Sequence, residues 1–132
     1  MIDRQATCGC GNLVVRTRGE PVRVSVCHCL ACQKRTDSVF AVQARFALDA
    51  VTVEGQSREY VRIGGSGSAA RFEFCGECGG TMCWRADALP GFVTVAVGAF
   101  ADPDFPPPQV SVYEESQHAW VGLPDDMEHF SD

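Results

Sequence analysis

The chain has 132 residues, a formal net charge of −6 and 45% hydrophobic residues, a length and composition that fit one domain around one hydrophobic core. The acidic charge disfavours a nucleic-acid partner, because binding phosphate needs a basic surface. No stretch is long and apolar enough for a membrane helix, and residues 1–5 are not followed by the apolar run of a secretory signal, so we expect a cytoplasmic protein.

Short segments rich in β-branched and aromatic residues, separated by glycine and proline turns, predict strands along most of the chain. They are residues 13–16, 22–26, 39–46, 50–53, 59–63, 71–74 and 92–97. The helical exception is a turn or two at residues 30–34, and the proline-rich residues 105–108 predict an extended connector. We therefore expect an all-β single domain over residues 1–124 and a disordered acidic tail at residues 125–132.

Seven of the eight cysteines form three tight clusters, which is typical of metal ligands. The clusters are Cys8 and Cys10; Cys27, Cys29 and Cys32; and Cys75 and Cys78. Eight cysteines can also form four disulfides, but the C-x-x-C spacing and the absence of an export signal favour zinc. Seven sulfurs suffice for two Zn²⁺ ions, one held by four thiolates and one by three.

The four-sulfur set combines Cys8 and Cys10 with Cys75 and Cys78, from distant parts of the sequence. A zinc ion shared by these residues would pin the amino-terminal strand to a later hairpin, which is a structural role. Spacing alone also allows Cys8 and Cys10 to share a metal with two of the cysteines at positions 27, 29 and 32.

The three-sulfur set is the candidate catalytic centre. Zinc bound by Cys27, Cys29 and Cys32 keeps a fourth position open for water or for a substrate thiol, which would lose its proton there. The alternative is a closed site that Cys83 completes. A zinc ion held by four thiolates has no position for a substrate and could not activate one. Cys83 stands alone in the sequence, and such a cysteine commonly serves as a small apolar core residue.

These motifs resemble the glutathione-dependent formaldehyde-activating enzyme family. The matching elements, which span nearly the whole chain, are residues 8–11, 27–32, 71–79 and 115–120. The resemblance implies a tent-like fold of several small antiparallel sheets with a structural zinc on Cys8, Cys10, Cys75 and Cys78 and a catalytic zinc on Cys27, Cys29 and Cys32. It also implies a carbon–sulfur lyase that forms S-hydroxymethylglutathione from glutathione, as co-substrate, and formaldehyde.

The chain departs from the family pattern after the three-cysteine cluster. The family commonly places a glycine there, where this chain has Asp37 between Thr36 and Ser38. We expect a carboxylate at that position to change the turn or the floor of the pocket. The sequence therefore predicts a zinc-dependent enzyme that handles an adduct of a thiol and an aldehyde, without fixing the substrate, the direction or whether the protein forms a homodimer. The competing prediction is a non-catalytic module in which both zinc ions are structural.

Three residues are candidates for binding the carboxylates of glutathione. Lys34 and Arg35 follow the three-cysteine cluster directly, and arginine suits bidentate carboxylate recognition. Gly67 lies in the glycine-rich residues 64–68, which could present backbone amides to an anion. Each also has a simpler interpretation, as a solvated surface side chain or as part of a flexible hairpin loop.

Overall fold

A computed structural model describes residues 2–132 of the chain. Its strands are β1 (Asp3–Thr7), β2 (Val14–Arg18), β3 (Arg23–Cys27), β4 (Ala41–Ala47), β5 (Val51–Glu54), β6 (Ser57–Ile63), β7 (Ala69–Cys75), β8 (Thr81–Ala86), β9 (Phe92–Ala96), β10 (Val110–Val112) and β11 (Glu128–His129). Within these residues one α-helix, α1 (Leu30–Thr36), and three short 3₁₀ turns complete the fold. No helix of this part of the chain has the length and apolar character to cross a membrane.

The strands form two sheets. The smaller sheet is antiparallel with the order β1-β2-β5, and the larger sheet has eight strands in the order β11-β10-β3-β4-β9-β8-β7-β6. Pairing in the larger sheet is antiparallel except at β10, which runs parallel to both β3 and β11. The predicted β-dominated single domain is confirmed.

The main hydrophobic core contains residues from both sheets. Leu13 and Val15, from the smaller sheet and the turn before it, form one buried cluster with Val24, Phe46 and Val95 of the larger sheet. All five side chains are at most 1% exposed. Burial of this apolar surface is the main force that holds the two sheets together.

Each predicted strand overlaps an observed one, but β1, β8, β10 and β11 had no counterpart among the predicted strands. β1 is mostly polar, and it forms because it pairs along its whole length with β2. In β8 three consecutive residues, Met82, Cys83 and Trp84, are buried, so the alternation that marks a half-buried strand is missing.

The prediction of a disordered tail at residues 125–132 is wrong. Met127 is 7% exposed, and the two residues after it form β11, which pairs with β10 at the edge of the larger sheet. The Phe130 N–H also donates to the Ser111 carbonyl at 2.9 Å. These pairings stabilise a segment whose composition alone indicated disorder.

Asp37, at the position where the resemblance implies a glycine, is the residue that follows helix α1. The helix ends at Thr36, and the next residue, Asp37, adopts the left-handed conformation with φ 56°. Glycine takes this conformation without strain, whereas a residue with a Cβ atom is strained there. Asp37 lines neither of the two clefts described below, so its effect lies in the turn rather than in a pocket floor.

Candidate metal centres and the adjoining cleft

The structure brings together the predicted four-sulfur set. The Sγ atoms of Cys8, Cys10, Cys75 and Cys78 all lie within 4.8 Å of one another. The Cys8–Cys10 distance is 3.7 Å and the Cys10–Cys75 distance is 3.6 Å. Sulfurs this close together could share one metal ion. The alternative, in which Cys8 and Cys10 pair with cysteines at positions 27, 29 and 32, is not observed.

Backbone amides surround the four-sulfur set. The Leu13 N–H donates to Cys8 Sγ at 3.2 Å and the Glu77 N–H to Cys75 Sγ at 3.4 Å. The amides of Gly80 and Cys10 lower the pKa of the Cys78 thiol to about 6. Such donors favour thiolate, which is the form that binds a metal.

The four sulfurs also connect the two sheets. Cys8 and Cys10 follow β1 of the smaller sheet, whereas Cys75 ends β7 and Cys78 lies in the turn to β8 of the larger sheet. A metal ion here would therefore join the amino-terminal strand to a later hairpin. Cys8 and Cys75 are buried but Cys10 and Cys78 are exposed, so the site lies at the surface end of the contact between the sheets.

The second predicted set is also assembled. Cys27 ends β3, Cys29 caps α1 and Cys32 lies in its first turn, and their three Sγ atoms lie within 4.8 Å of one another. We call these three residues the triad. Cys29 Sγ accepts a hydrogen bond from the Cys32 N–H at 3.3 Å, which is the cap that begins the helix. Helix initiation and sulfur placement thus depend on the same side chain.

The triad concentrates negative charge on one sulfur. Hydrogen bonds from Cys27 and Cys32 lower the pKa of the Cys29 thiol to about 2, and the positive charge of Arg62 adds to this effect. The hydrogen bond to Cys29 in turn raises the pKa of the Cys27 thiol. Three clustered thiols with a thiolate among them form an electrostatic environment that favours a cation.

Cys83 is not part of the triad. It is fully buried in the main core, and its Sγ donates to Glu73 Oε2 at 3.5 Å. Burial and the neighbouring Glu73 carboxylate raise the pKa of its thiol to about 12. No Cys, His, Asp or Glu among residues 2–132 completes the triad with a fourth ligand at comparable distance. The alternative of a site closed by Cys83 does not fit this geometry.

His28 lies between two triad cysteines but belongs to a different environment. Its ring is fully buried, and its Nε2 lies 3.0 Å from Ser111 Oγ on the neighbouring strand β10. Burial lowers the pKa of this imidazole. His28 therefore packs the triad segment against β10 and is not one of its grouped ligands.

A cleft of about 460 Å³ opens beside the triad, and we call it the triad cleft. Besides the three cysteines it is lined by the cations Arg35 and Arg62, by Gln43 and Tyr113, and by Gly64 and Gly65 of the loop after β6. No carboxylate lines it within the described part of the chain. In a protein of net charge −6 this is a local reversal of charge that favours an anionic ligand.

Arg35 is fixed between an aromatic ring and the triad. Its guanidinium carbon lies 4.1 Å from the centroid of the Trp84 ring, and its Nη2 donates to Cys32 Sγ at 3.8 Å. Its Nε is buried and has no hydrogen-bond partner. Neither Arg35 nor Arg62 forms an ion pair with any of residues 2–132, so their charge remains available to a ligand.

The three candidate contacts for glutathione occupy different positions. Arg35 lines the triad cleft, and Lys34 lines a neighbouring cleft that Arg35 also borders. Gly67 lines neither cleft, and its N–H donates to the Gly64 carbonyl at 3.0 Å within the loop. Gly64 and Gly65, which line the triad cleft, are therefore better placed than Gly67 to meet a ligand.

Sequence reasoning did not identify Trp84 and Phe72 as part of the site. Both side chains are buried, with Trp84 9% exposed and Phe72 5% exposed. They nevertheless form a wall of the triad cleft, since each contacts the Arg35 guanidinium through its ring. Strand composition could not show this, because the contact depends on where α1 packs.

Comparison with known proteins gives the family of this chain. Residues 3–116 match the sequence profile of the family described as glutathione-dependent formaldehyde-activating enzyme. None of the curated proteins compared with the chain matches it significantly. A crystal structure of a Rhodobacter sphaeroides protein, a structural genomics target, is 22% identical with a TM-score of 0.59 and covers 75% of this chain and 91% of its own.

The structural neighbour supports the fold alone, whereas the sequence profile covers most of the chain. The seven clustered cysteines lie within the matched residues, in the two groups that the structure assembles. The chain therefore belongs to the glutathione-dependent formaldehyde-activating enzyme family.

Proposed function

We propose that this protein is a zinc-dependent enzyme of carbon–sulfur lyase type, which forms or cleaves the adduct of glutathione, or a related thiol, with an aldehyde such as formaldehyde. The observation that carries the proposal is the triad, because three sulfurs without a fourth ligand among residues 2–132 border a cleft large enough for a small molecule. Family membership supports the same assignment.

The donor sets fit two zinc ions with different roles. Four thiolates on Cys8, Cys10, Cys75 and Cys78 match the closed tetrahedral coordination of a structural zinc. The thiolates of the triad match a catalytic zinc, which keeps one position for an exchangeable ligand. A zinc ion held there would lower the pKa of a thiol in that position.

Arg35 has a defined role in this proposal. It holds a positive charge 3.8 Å from Cys32 Sγ, and its stacking on Trp84 limits the positions that the guanidinium can take. An anionic thiol entering the cleft meets this charge and that of Arg62 without a competing carboxylate in the lining. Arg35 therefore binds and orients a carboxylate of the thiol, with Lys34 as the further cation of the adjacent cleft.

The reaction is balanced without an oxidant or a reductant. In the forward direction the sulfur of the thiol forms a bond to the carbonyl carbon, and the proton that the thiol loses is taken up by the carbonyl oxygen. In the reverse direction the hydroxyl loses its proton, the C=O bond re-forms as the carbon–sulfur bond breaks, and the sulfur leaves with the electron pair and regains the proton. We place this reaction in the cytoplasm, where reducing conditions keep cysteines and glutathione as thiols.

Native mass spectrometry of the zinc-loaded protein tests the proposal. We expect two zinc ions and one glutathione per chain, with S-methylglutathione binding at least about tenfold more weakly because it cannot supply a thiolate. Arg35→Gln should weaken glutathione binding about tenfold, a loss typical of a charge-assisted hydrogen bond. The matched control is Arg58→Gln, since Arg58 lines a different cleft beside the four-sulfur set.

Two results would contradict the proposal. If the protein holds two zinc ions but binds glutathione no better than S-methylglutathione, the triad does not accept a thiol, and a non-catalytic two-zinc module becomes the better description. If Arg35→Gln and Arg58→Gln weaken binding equally, the carboxylate is not held at the triad cleft.

A further inference from the structure

A second concave surface lies directly beside the triad cleft. It has a volume of about 450 Å³, and its lining includes the aromatic side chains of Tyr60, Phe72 and Phe74. We call it the aromatic cleft. The two clefts share Ala31, Arg35, Arg62 and Phe72, so they adjoin each other at these residues.

The two clefts together form a groove, and the shared residues mark the boundary between its sulfur-lined part and its aromatic part. Arg35 and Arg62 both contact the Phe72 ring, with guanidinium carbons 5.6 Å and 5.1 Å from its centroid. The triad lies on one side of this boundary and the rings of Tyr60 and Phe74 on the other. A ligand that spans the groove therefore needs a sulfur at one end, a negative charge near the middle and an apolar group at the other end.

The aromatic cleft exceeds what formaldehyde requires. Formaldehyde adds only a hydroxymethyl group to the sulfur of a thiol, and such a group would remain next to the triad. Lys34 also lines this cleft and could meet a carboxylate of the thiol, but the rings of Tyr60 and Phe74 would then have no apolar partner. Exposed apolar surface of this kind in a concave site is typical of ligand binding.

We propose that the aromatic cleft binds the apolar substituent of a larger adduct, so that the preferred substrates are conjugates of glutathione, or of a similar anionic thiol, with aldehydes that carry an aromatic or extended alkyl group. This inference rests on the proposed function, because it takes the sulfur end of the adduct to the triad. Tyr60 is its specificity-determining residue, since it lines the aromatic cleft and not the triad cleft.

S-alkylglutathiones provide the test, with affinity measured by calorimetry on the zinc-loaded protein for the methyl, butyl and hexyl compounds and for glutathione itself. We expect affinity to rise about twofold to fourfold for each added methylene that leaves water. Tyr60→Ser should lower the rise to less than about twofold per added methylene, because Phe72 and Phe74 still line the cleft. The side chain is 60% exposed on edge strand β6, so the variant is expected to fold.

Val61→Ser is the matched control. Val61 is the next residue of the same edge strand, is also exposed and lines neither cleft, so its variant should keep the dependence on chain length. If the wild type binds glutathione but shows no dependence on chain length, or if both variants lose it equally, the inference is refuted while the proposed function stands. If glutathione and all S-alkyl compounds fail to bind, both the inference and the proposed function are refuted.

Discussion

Removing the two zinc sites in turn should have unequal effects on stability. The matched perturbations are Cys10→Ser with Cys78→Ser, which disrupts the four-sulfur set, and Cys29→Ser with Cys32→Ser, which disrupts the triad. Cys10 and Cys78 are exposed, so their replacement leaves no core cavity. Serine at position 29 can still cap α1, so the second double variant keeps the start of its helix.

The expected loss of stability depends on the number of residues in the loop that each metal ion closes. The sulfurs of Cys10 and Cys75 are 65 positions apart, and those of Cys29 and Cys32 are 3 apart. If each zinc acts on the unfolded chain as a crosslink, the loop-closure entropy stabilises the fold by about 4 kcal/mol at the first site and about 2 kcal/mol at the second. For a domain of this size, the melting temperature should fall by about 15 °C and about 7 °C respectively.

Two measurements on each variant check this reasoning. Zinc content by elemental analysis should fall from two ions to one in both double variants, and calorimetry in the presence of zinc should give the two melting temperatures. Cys83→Ser is the control, because Cys83 belongs to neither sulfur group and serine retains a donor for Glu73, so both ions should stay bound. Equal losses of melting temperature, or a larger loss from the triad variant, would refute the assignment of the structural role to the site that joins the sheets.

Two further predictions concern local features of the fold. Asp37→Gly should raise stability by about 1 kcal/mol, or about 3 to 5 °C in melting temperature, because glycine relieves the positive φ after α1; unchanged or lower stability would show that Asp37 is not strained. At the tail, Glu114 lies 2.6 Å from His129 Nδ1 and raises the pKa of His129 above 6.5, while hydrogen bonding from Ser111 and His129 lowers that of Glu114. While Glu114 is ionised, the ion pair should therefore stabilise β11 fully below about pH 6.5 and lose its effect as pH rises through the raised pKa of His129. At acid pH it should be lost again as pH falls through the lowered pKa of Glu114. His129→Gln should then melt below the wild type at about pH 6 and converge with it at higher pH, and a difference that grows with pH would contradict this sign.

The fold class and the three cysteine clusters were predictable because each depends on local pattern. Alternating β-branched residues predict strands, and C-x-C and C-x-x-C spacings predict ligands that share a metal. The partner choice between Cys10 and Cys75 was open, because it depends on contacts between residues 65 positions apart. The observed pairing was the preferred one, and the family resemblance implied it as well.

The clefts and the ordered tail depend on tertiary packing that no local pattern records. Arg35 reads as a surface side chain until α1 places it on the Trp84 ring. Residues 125–132 are acidic and short of core residues, yet Met127 is buried and β11 pairs with β10. Parallel pairing of this kind joins strands that are distant along the chain, and composition therefore indicated disorder where the sheet provides partners.

The contact between Arg35 and Trp84 gives the protein a built-in optical probe. The chain has two tryptophans, of which Trp84 forms a wall of the triad cleft and Trp120 is 73% exposed. Replacing Trp120 with phenylalanine would leave a single indole whose emission depends on the cation stacked on it at 4.1 Å. A ligand that draws Arg35 away from the ring would change that emission, so occupancy of the cleft could be followed in real time without a label.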